Sequence, residues 1–337
     1  MKKKTVIGII GAGRIGRVHA EGICNQIPGA HVKSMADPFM NDETAQWAES
    51  LGVEFTTKDY KEILDDSEID AVLICTPTDT HARITREAAK AGKHIFCEKP
   101  IDLDVESIKE TLRVVEEAGV KFQIGFNRRF DHNFRAVKDA VSAGKIGDPH
   151  MIKIISRDPS PPPVEYIKSS GGIFVDMTIH DFDMARYLSG SEVVEVYVQG
   201  AVLVDPEIGK AGDIDTALIT LKFANGAIGS IDNSRKAVYG YDQRAEVFGS
   251  KGSIASGNDT LSTVVLSTED GIISEKPLFF FLERYLASFV QELREFVQAI
   301  VDDTDTPLGG LDALRPVQIA IAAGESLKTG QAVKLSY

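Results

Sequence analysis

Residues 5–16 read TVIGIIGAGRIG, a short apolar run followed by a turn with glycine at positions 11, 13 and 16. The run predicts a β-strand and the residues after the turn predict a helix. Asp37 stands about 20 residues after the turn, at the end of the next apolar run. This combination is typical of a dinucleotide-binding turn, in which glycines permit a tight bend, the approach of a pyrophosphate and close helix packing. We therefore predict that the dinucleotide contacts Gly11, Ala12, Gly13, Arg14 and Ile15.

Asp37 also indicates which dinucleotide binds. A carboxylate at this position accepts hydrogen bonds from both hydroxyls of the adenosine ribose and repels a 2′-phosphate. Pro38 follows it, and neither Arg nor Lys adjoins Asp37 to neutralise a phosphate. We therefore predict NAD rather than NADP. Arg14 argues against this preference for NAD, because an arginine in this turn can reach the adenosine ribose.

The first 125 residues alternate short apolar runs with helical stretches. Strands that are apolar on both faces and separated by helices indicate a parallel sheet covered on both sides. After about residue 126, strand-like segments follow one another directly, with hairpin signals at Asn225-Gly226 and residues 249–252. We predict an α/β chain with a doubly wound Rossmann domain over residues 1–125 and an α+β domain with a mainly antiparallel sheet over residues 126–337. Helices in the second domain are predicted at residues 172–188, 282–301 and 311–328.

The composition excludes several classes of function. The 337 residues are 43 % apolar and 26 % charged, an ordinary globular balance. The net charge of −13 argues against nucleic acid and anionic membranes as partners, since both bind basic surfaces. No apolar run approaches the ~18 residues that span a bilayer. The three cysteines are scattered and predict neither a disulfide framework nor a metal site, so a reducing cytoplasm is the expected location.

Polar residues follow several of the predicted parallel strands, where ligands of doubly wound sheets bind. Lys99 comes directly after the apolar run Ile95-Phe96-Cys97. An isolated lysine at such a place is usually a solvated loop residue, but the dinucleotide turn favours a functional lysine aimed at the nicotinamide. The other strand-end residues are Thr76, Pro77, Glu98, Asn127, Arg128 and Arg129.

Asp176, His180, Asp183 and Tyr187 recur at helical spacing and are predicted to share one face of a single helix. Two interpretations remain open. The stripe is either the solvated face of an amphipathic helix or an acid–base pair in which Asp176 orients the imidazole of His180. No metal is predicted, because no cluster of histidines accompanies these side chains.

Together these motifs resemble the Gfo/Idh/MocA oxidoreductases, over nearly the whole chain. The motifs that carry the resemblance are Gly11–Gly16, Cys97–Pro100, Gly125–Asp131 and Gly171–Asp183. Within the family the chain most resembles the bacterial inositol 2-dehydrogenases, through Asn127–Asp131, Ser156–Pro159 and Tyr239–Arg244.

The resemblance implies a role for each part of the chain. The Rossmann domain would bind NAD, and the open sheet of the second domain would bind substrate and build a homo-oligomer, a dimer or tetramer. Lys99 would hold the substrate hydroxyl, His180 would take its proton, and Asp176 would orient His180. The residues expected to border the nicotinamide half of NAD are Thr76, Pro77, Glu98 and Asn127. Those expected at the polyol site are Arg129, Asp158 and Tyr241, with Asp183 behind them.

The expected reaction is NAD-dependent oxidation of a secondary ring hydroxyl of a cyclitol, myo-inositol first, in carbohydrate catabolism. Neutral His180 would remove the hydroxyl proton while Lys99 stabilises the developing alkoxide. One alternative is a dehydrogenase of the same family acting on scyllo-inositol or another sugar. A second is a non-catalytic regulator that senses NAD; such a protein is expected to lose the lysine or the histidine, and this chain keeps both.

Overall fold

The computed structural model describes residues 4–337, which form two compact units. The first unit comprises the chain up to Phe130 together with Ala287–Arg315, and the second comprises Asp131–Leu286 together with Pro316–Tyr337. None of the helices within residues 4–337 is long and apolar enough to cross a bilayer.

The first unit alternates strands with helices along the chain. Its strands are β1 (Thr5–Ile10), β2 (Ala30–Ala36), β3 (Phe55–Thr57), β4 (Ala71–Ile74), β5 (His94–Glu98) and β6 (Phe122–Gly125). Its helices before residue 130 are α1 (Arg14–Gln26), α2 (Asp42–Ser50), α3 (Lys61–Asp65), α4 (Thr78–Lys90) and α5 (Val105–Ala118), and a 3₁₀ turn covers Asn127–Phe130.

These six strands form one parallel sheet in the order β3-β2-β1-β4-β5-β6. This is the doubly wound order of a Rossmann fold, with the direction of winding reversing between β1 and β4. Helices cover both faces, so all four residues of β4 are buried. The predicted parallel sheet is confirmed, because strands apolar on both faces have no solvated side to offer.

The second unit is rich in β-strands, several of which follow one another along the chain without a helix between them. They are β7 (Pro149–Arg157), β8 (Val193–Ala201), β9 (Thr216–Phe223), β10 (Ile228–Ser234), β11 (Asp242–Gly249), β12 (Gly252–Ser256), β13 (Val265–Thr268), β14 (Gly271–Ser274) and β15 (Val333–Lys334). The helices between them are α6 (His132–Ser142), α7 (Val164–Ser169), α8 (Gly172–Asp176), α9 (Ile179–Ser189), α10 (Pro206–Lys210) and α11 (Phe281–Arg284). The last two helices of the chain are α12 (Leu286–Asp302) and α13 (Gly310–Thr329).

Seven of these strands form a mixed sheet in the order β12-β11-β7-β10-β9-β8-β15. All pairs are antiparallel except β7 and β10, which run parallel. Both predicted hairpins are confirmed: Asn225-Gly226 joins β9 to β10, with Gly226 at φ +90°, and residues 249–252 join β11 to β12. Helices α6 and α9 pack on one side of this sheet.

Helix α12 packs where the sequence pattern did not place it. We expected residues 282–301 within the second domain, but all of α12 except Leu286 belongs to the first unit. Its buried residues Leu293 and Phe296 share a core cluster with Phe96 of β5 and Ile23 of α1. A single boundary after residue 125 therefore does not describe the packing, because the apolar stripe of α12 completes the core of the first sheet.

The helix predicted at residues 172–188 is two helices, α8 and α9. Three buried side chains fix the break between them. Asn233 of β10 accepts a hydrogen bond from the Thr178 hydroxyl at 2.7 Å and donates one to the Asp181 carboxylate at 2.8 Å. The prediction that Asp176 and His180 share a face of one helix was therefore wrong, since Asp176 ends α8 and His180 lies in the first turn of α9.

A polar cluster lies inside the core of the first unit. His19 of α1 and Glu98 of β5 form a hydrogen bond of 2.7 Å, and Glu292 of α12 brings a carboxylate oxygen within 4.8 Å of both. Glu292 is fully buried, and neither of its carboxylate oxygens has a hydrogen-bond partner among the described residues. Burial and, secondly, the charge of Glu98 raise the pKa of Glu292 well above its ordinary value of 4.5. The folded protein therefore favours the protonated form of Glu292.

A protonated Glu292 makes stability depend on pH. The native protein keeps this proton above pH 4.5 whereas the unfolded chain releases it, so the free energy of unfolding falls as pH rises towards the raised pKa. Glu292→Gln has nearly the same shape and no proton to release, and we expect it to remove this part of the decline. Urea unfolding at a series of pH values measures the slope.

Glu295→Gln is the matched control, because Glu295 lies on the same helix and hydrogen-bonds to Gln291 at 2.7 Å. It should keep the slope of the wild type. Equal slopes for the wild type and Glu292→Gln would contradict a protonated Glu292.

Candidate active site

In the glycine turn after β1, two glycines are required by packing within the chain and the third is explained by ligand binding. Gly11 has φ +107°, and a Cβ atom there would lie 2.6 Å from the backbone carbonyl of Cys75. A Cβ at Gly16 would overlap the carbonyl oxygen of Gly11. At Gly13, in contrast, a Cβ would meet no atom of the described chain within 4 Å. Packing within the chain therefore requires glycine at positions 11 and 16. It does not require glycine at position 13, where the absence of a side chain lets a pyrophosphate lie against the backbone.

Asp37 is attached to this turn by hydrogen bonds. One carboxylate oxygen accepts the backbone N–H of Ala12 at 2.8 Å, and the other accepts that of Phe39 at 2.8 Å. Each oxygen keeps a lone pair that can accept a ribose hydroxyl. Asp37 is thus positioned to bind the adenosine ribose next to the predicted turn residues.

Arg17 supports the same turn and was not singled out from the sequence. Its Nε donates to the carbonyl of Ala12 at 3.2 Å, and its guanidinium lies 4.8 Å from the ring centre of Trp47. Arg14, in contrast, is exposed. The signal for Arg17 was its place one residue after the last glycine of the turn.

The predicted strand-end residues of the first unit leave the sheet at one edge, because their strands are parallel. His81 of α4 joins two of these ends: one ring nitrogen lies 2.7 Å from the carbonyl of Thr76 and the other lies 2.7 Å from that of Pro100. This bridge fixes the segment with Thr76 and Pro77 beside the segment with Glu98 and Lys99, and Lys99 is half-buried there.

Two further predicted residues of the first unit are tied to its C-terminal segment. The amide of Asn127 is buried and donates to the Ser288 hydroxyl at 3.1 Å. Arg129 donates to the carboxylate of Asp312 at 2.7 Å. Arg129, predicted at the polyol site, therefore belongs to the first unit, and its role with substrate stays a prediction.

In the second unit, strand register collects the other polyol residues at one edge of the mixed sheet. Arg157 pairs with Ser234 of β10 on one side and with Asp242 of β11 on the other. Asp158 and Tyr241 adjoin these paired residues and so lie at the same edge. Asp158 is held there through its backbone, whose N–H donates to Ser234 at 2.9 Å. Tyr241 is buried and packs edge-on against Tyr285, with ring centres 5.9 Å apart.

Asp176 is attached to this edge by its side chain. Tyr166 donates its hydroxyl to one carboxylate oxygen at 2.9 Å, and Arg235 donates Nη1 to the other at 3.2 Å. His180, half-buried, follows four residues later. The carboxylate of Asp176 is thus held in one orientation at the start of the segment that carries His180, and the pairing of Asp176 with His180 stays a prediction.

Asp183 occupies a different environment from the other predicted polyol residues. It is fully buried in α9, and its carboxylate lies 3.8 Å from the guanidinium of Arg186 in the same helix.

Neither Tyr166 nor Arg235 was found from the sequence. The rule that selected Lys99 concerns the carboxyl ends of parallel strands in a doubly wound sheet, so it gave no signal for Arg235.

Comparison with known proteins assigns both units. Residues 5–126 match a family model described as "Oxidoreductase family, NAD-binding Rossmann fold", and residues 134–255 match the GFO/IDH/MocA C-terminal domain. The uncharacterized oxidoreductase YrbE of Bacillus subtilis is 51 % identical over 337 residues, covering 100 % of this chain and 98 % of that protein. The myo-inositol 2-dehydrogenase of Thermotoga maritima is 49 % identical over 329 residues, covering 98 % of each.

A solved structure extends the likeness to three dimensions. The scyllo-inositol dehydrogenase of Lactobacillus casei, with bound NAD(H) and scyllo-inositol, superposes with a TM-score of 0.91 at 33 % identity, over 98 % of this chain and 99 % of that one. The first unit is therefore an NAD-binding Rossmann domain, as its glycine turn and Asp37 predicted. The chain belongs to the Gfo/Idh/MocA family of oxidoreductases.

Proposed function

We propose that this protein is an NAD-dependent dehydrogenase that oxidises a secondary ring hydroxyl of a cyclitol, with myo-inositol as the first candidate. The observation that carries the proposal is one edge of the mixed sheet, where Asp158 and Tyr241 adjoin register-paired residues and Arg235 binds Asp176. Such groups hydrogen-bond hydroxyls without requiring a charged substrate. The name of the Thermotoga maritima relative supports myo-inositol.

The chain's own residues supply the proton chemistry. Lys99 donates a hydrogen bond to the reacting oxygen and stabilises the negative charge that develops on it. A nitrogen of neutral His180 accepts the hydroxyl proton, and Asp176 orients that ring and stabilises its charged form. When bound, NAD supplies the hydride acceptor at C4 of its nicotinamide. The positive charge that His180 gains is thus compensated by Asp176.

The bound ligand of the Lactobacillus casei structure supports scyllo-inositol as a second candidate substrate. A screen of myo-inositol, scyllo-inositol, hexoses and 2-hydroxy acids, followed by NADH absorbance, tests the proposal. Turnover of myo-inositol is the expected result, and preferred turnover of scyllo-inositol or a hexose would select the alternative. Oxidation of 2-hydroxy acids alone would overturn the proposal, and NAD binding without any turnover would indicate a regulator.

The proposed role of His180 as general base leads to a quantitative prediction. His180→Ala should lower kcat by about 10²–10⁴-fold, the usual contribution of positioned proton transfer. Its affinity for NAD, measured by fluorescence titration, should be unchanged, because His180 lies in the second unit and the glycine turn in the first. His132→Ala is the control, since His132 is an exposed histidine of the second unit outside the proposed site. Near-wild-type turnover in His180→Ala would remove this mechanism.

Asp37 is expected to set the cofactor preference. Asp37→Ala should reduce kcat/KM with NAD and narrow the ratio between NAD and NADP, because it removes both the ribose hydrogen bonds and the repulsion of a 2′-phosphate. Asp42→Ala, which removes an exposed carboxylate at the start of α2, should leave the ratio unchanged. Equal or better use of NADP by the wild type would show that Arg14 outweighs Asp37.

We also propose a homo-oligomer, a dimer or tetramer, formed through the mixed sheet. Ile228, Met151 and Phe248 are register neighbours on adjacent strands, and they are 48, 45 and 48 % exposed. A row of apolar side chains across an open sheet face favours association with a second copy.

Light scattering should therefore give a mass of two or four chains for the wild type and a smaller one for Ile228→Lys, which places a charge in this row. Leu261→Lys is the control, because Leu261 is an exposed leucine outside the seven strands. A monomeric wild type, or an unchanged mass for Ile228→Lys, would contradict this interface.

The cytoplasm is the proposed location. Cys24, Cys75 and Cys97 are free thiols, which supports a reducing compartment.

A further inference from the structure

We propose that Arg235 is a positioning residue of this dehydrogenase, which places Asp176 and thereby His180. The inference rests on the function proposed above. Arg235 does not take part in the proton transfer itself. It acts through the carboxylate to which it is bound.

Arg235 is unusual in its burial. Its side chain is only 1 % exposed, although it carries a permanent charge. It follows β10 directly, and its backbone N–H donates to the carbonyl of Asp215 at 2.8 Å. The sheet therefore fixes the start of the side chain at the same edge as Asp158 and Tyr241.

The hydrogen bonds of Arg235 are few for a buried guanidinium. Among the described residues its only side-chain hydrogen bond is the one from Nη1 to Asp176, and Nε and Nη2 have no hydrogen-bond partner. Nη2 also lies 3.5 Å from a carboxylate oxygen of Asp213. A buried charge with unsatisfied donors costs stability, so stability alone does not account for an arginine at this position.

The two acidic partners of Arg235 hold opposite ends of α8. Asp213 accepts the backbone N–H of Ile173 at 3.1 Å, near the start of the helix. Asp176 is the last residue of α8 and bonds to Arg235. A five-residue helix has little stability of its own. The arginine and its two carboxylates therefore set the position of α8 and of its terminal residue.

This arrangement also orients the carboxylate of Asp176. Arg235 binds one oxygen and Tyr166 binds the other, so rotation of the carboxylate would break one of the two hydrogen bonds. A small displacement of a catalytic group can lower the rate about 10²-fold. The arginine thus contributes to turnover by keeping Asp176 in one orientation.

A double-mutant cycle tests this coupling. Arg235→Met, which removes the charge and keeps much of the volume, should lower kcat about 10²-fold with little change in KM for the cyclitol or in NAD affinity. In an Asp176→Asn background the same substitution should lower kcat far less, because the ion pair that it removes is already absent there. Arg235→Lys keeps the charge and should recover part of kcat; it replaces Arg235→Met in the cycle if that variant does not fold.

Arg284→Met is the matched control. Arg284 is another buried arginine of the second unit with two acidic partners, Asp131 and Asp259, and it has no contact with Asp176. Its effect on kcat should combine independently with that of Asp176→Asn. Independent effects of Arg235→Met and Asp176→Asn, or a loss confined to KM, would overturn the positioning role.

Hydrogen–deuterium exchange separates this inference from the proposed function. Amides of α8 should exchange faster in Arg235→Met than in the wild type, and those of α6 should not change. If the wild type oxidises no cyclitol or sugar, the proposed function fails, and exchange alone still decides whether Arg235 anchors α8. Unchanged exchange in α8 would refute the anchor whatever the activity.

Discussion

Helix α1 can approach the end of β1 only because residue 16 has no side chain: a Cβ there would overlap the carbonyl oxygen of Gly11. The close approach forces the chain at Gly11 into a positive φ against the backbone after β4, a place where only glycine fits. The same turn directs the N–H of Ala12 towards Asp37 at the end of β2. The phosphate-binding turn and the ribose-binding carboxylate are therefore parts of one packing constraint at the point where the parallel sheet reverses its winding.

In the second unit, Asn233 of β10 and Arg235 just after that strand likewise fix the position of a neighbouring segment. Asn233 bonds to Thr178 and Asp181 and thereby fixes the break between α8 and α9. Arg235, two residues later, bonds to Asp176 at the end of α8. The segment that carries the candidate acid–base residues is thus attached to the sheet on both sides of the break, so its geometry follows the strand and not the regular spacing of a helix.

Arg235 and Glu292 are two buried ionisable side chains with different surroundings. The buried guanidinium of Arg235 lies beside the carboxylates of Asp176 and Asp213, which balance its charge. Glu292 has no such partner, and burial and the nearby charge of Glu98 raise its pKa, which favours the protonated form. Opposite charges thus surround the buried Arg235, whereas the surroundings of Glu292 disfavour its charged form.

The amino-acid sequence by itself determined the parallel sheet, the hairpins and the dinucleotide-binding turn. Strands apolar on both faces predicted the parallel sheet, Asn225-Gly226 predicted a hairpin, and the turn with Asp37 predicted NAD, because each of these signals lies within a few residues or a short, regular interval. Only the tertiary structure decided the break after Asp176, the place of α12, the partners of Arg235 and the burial of Glu292 near Glu98. Those features depend on hydrogen bonds and packing between residues far apart in the chain, such as Asn233 with Thr178, and periodicity along a single segment carries no information about them.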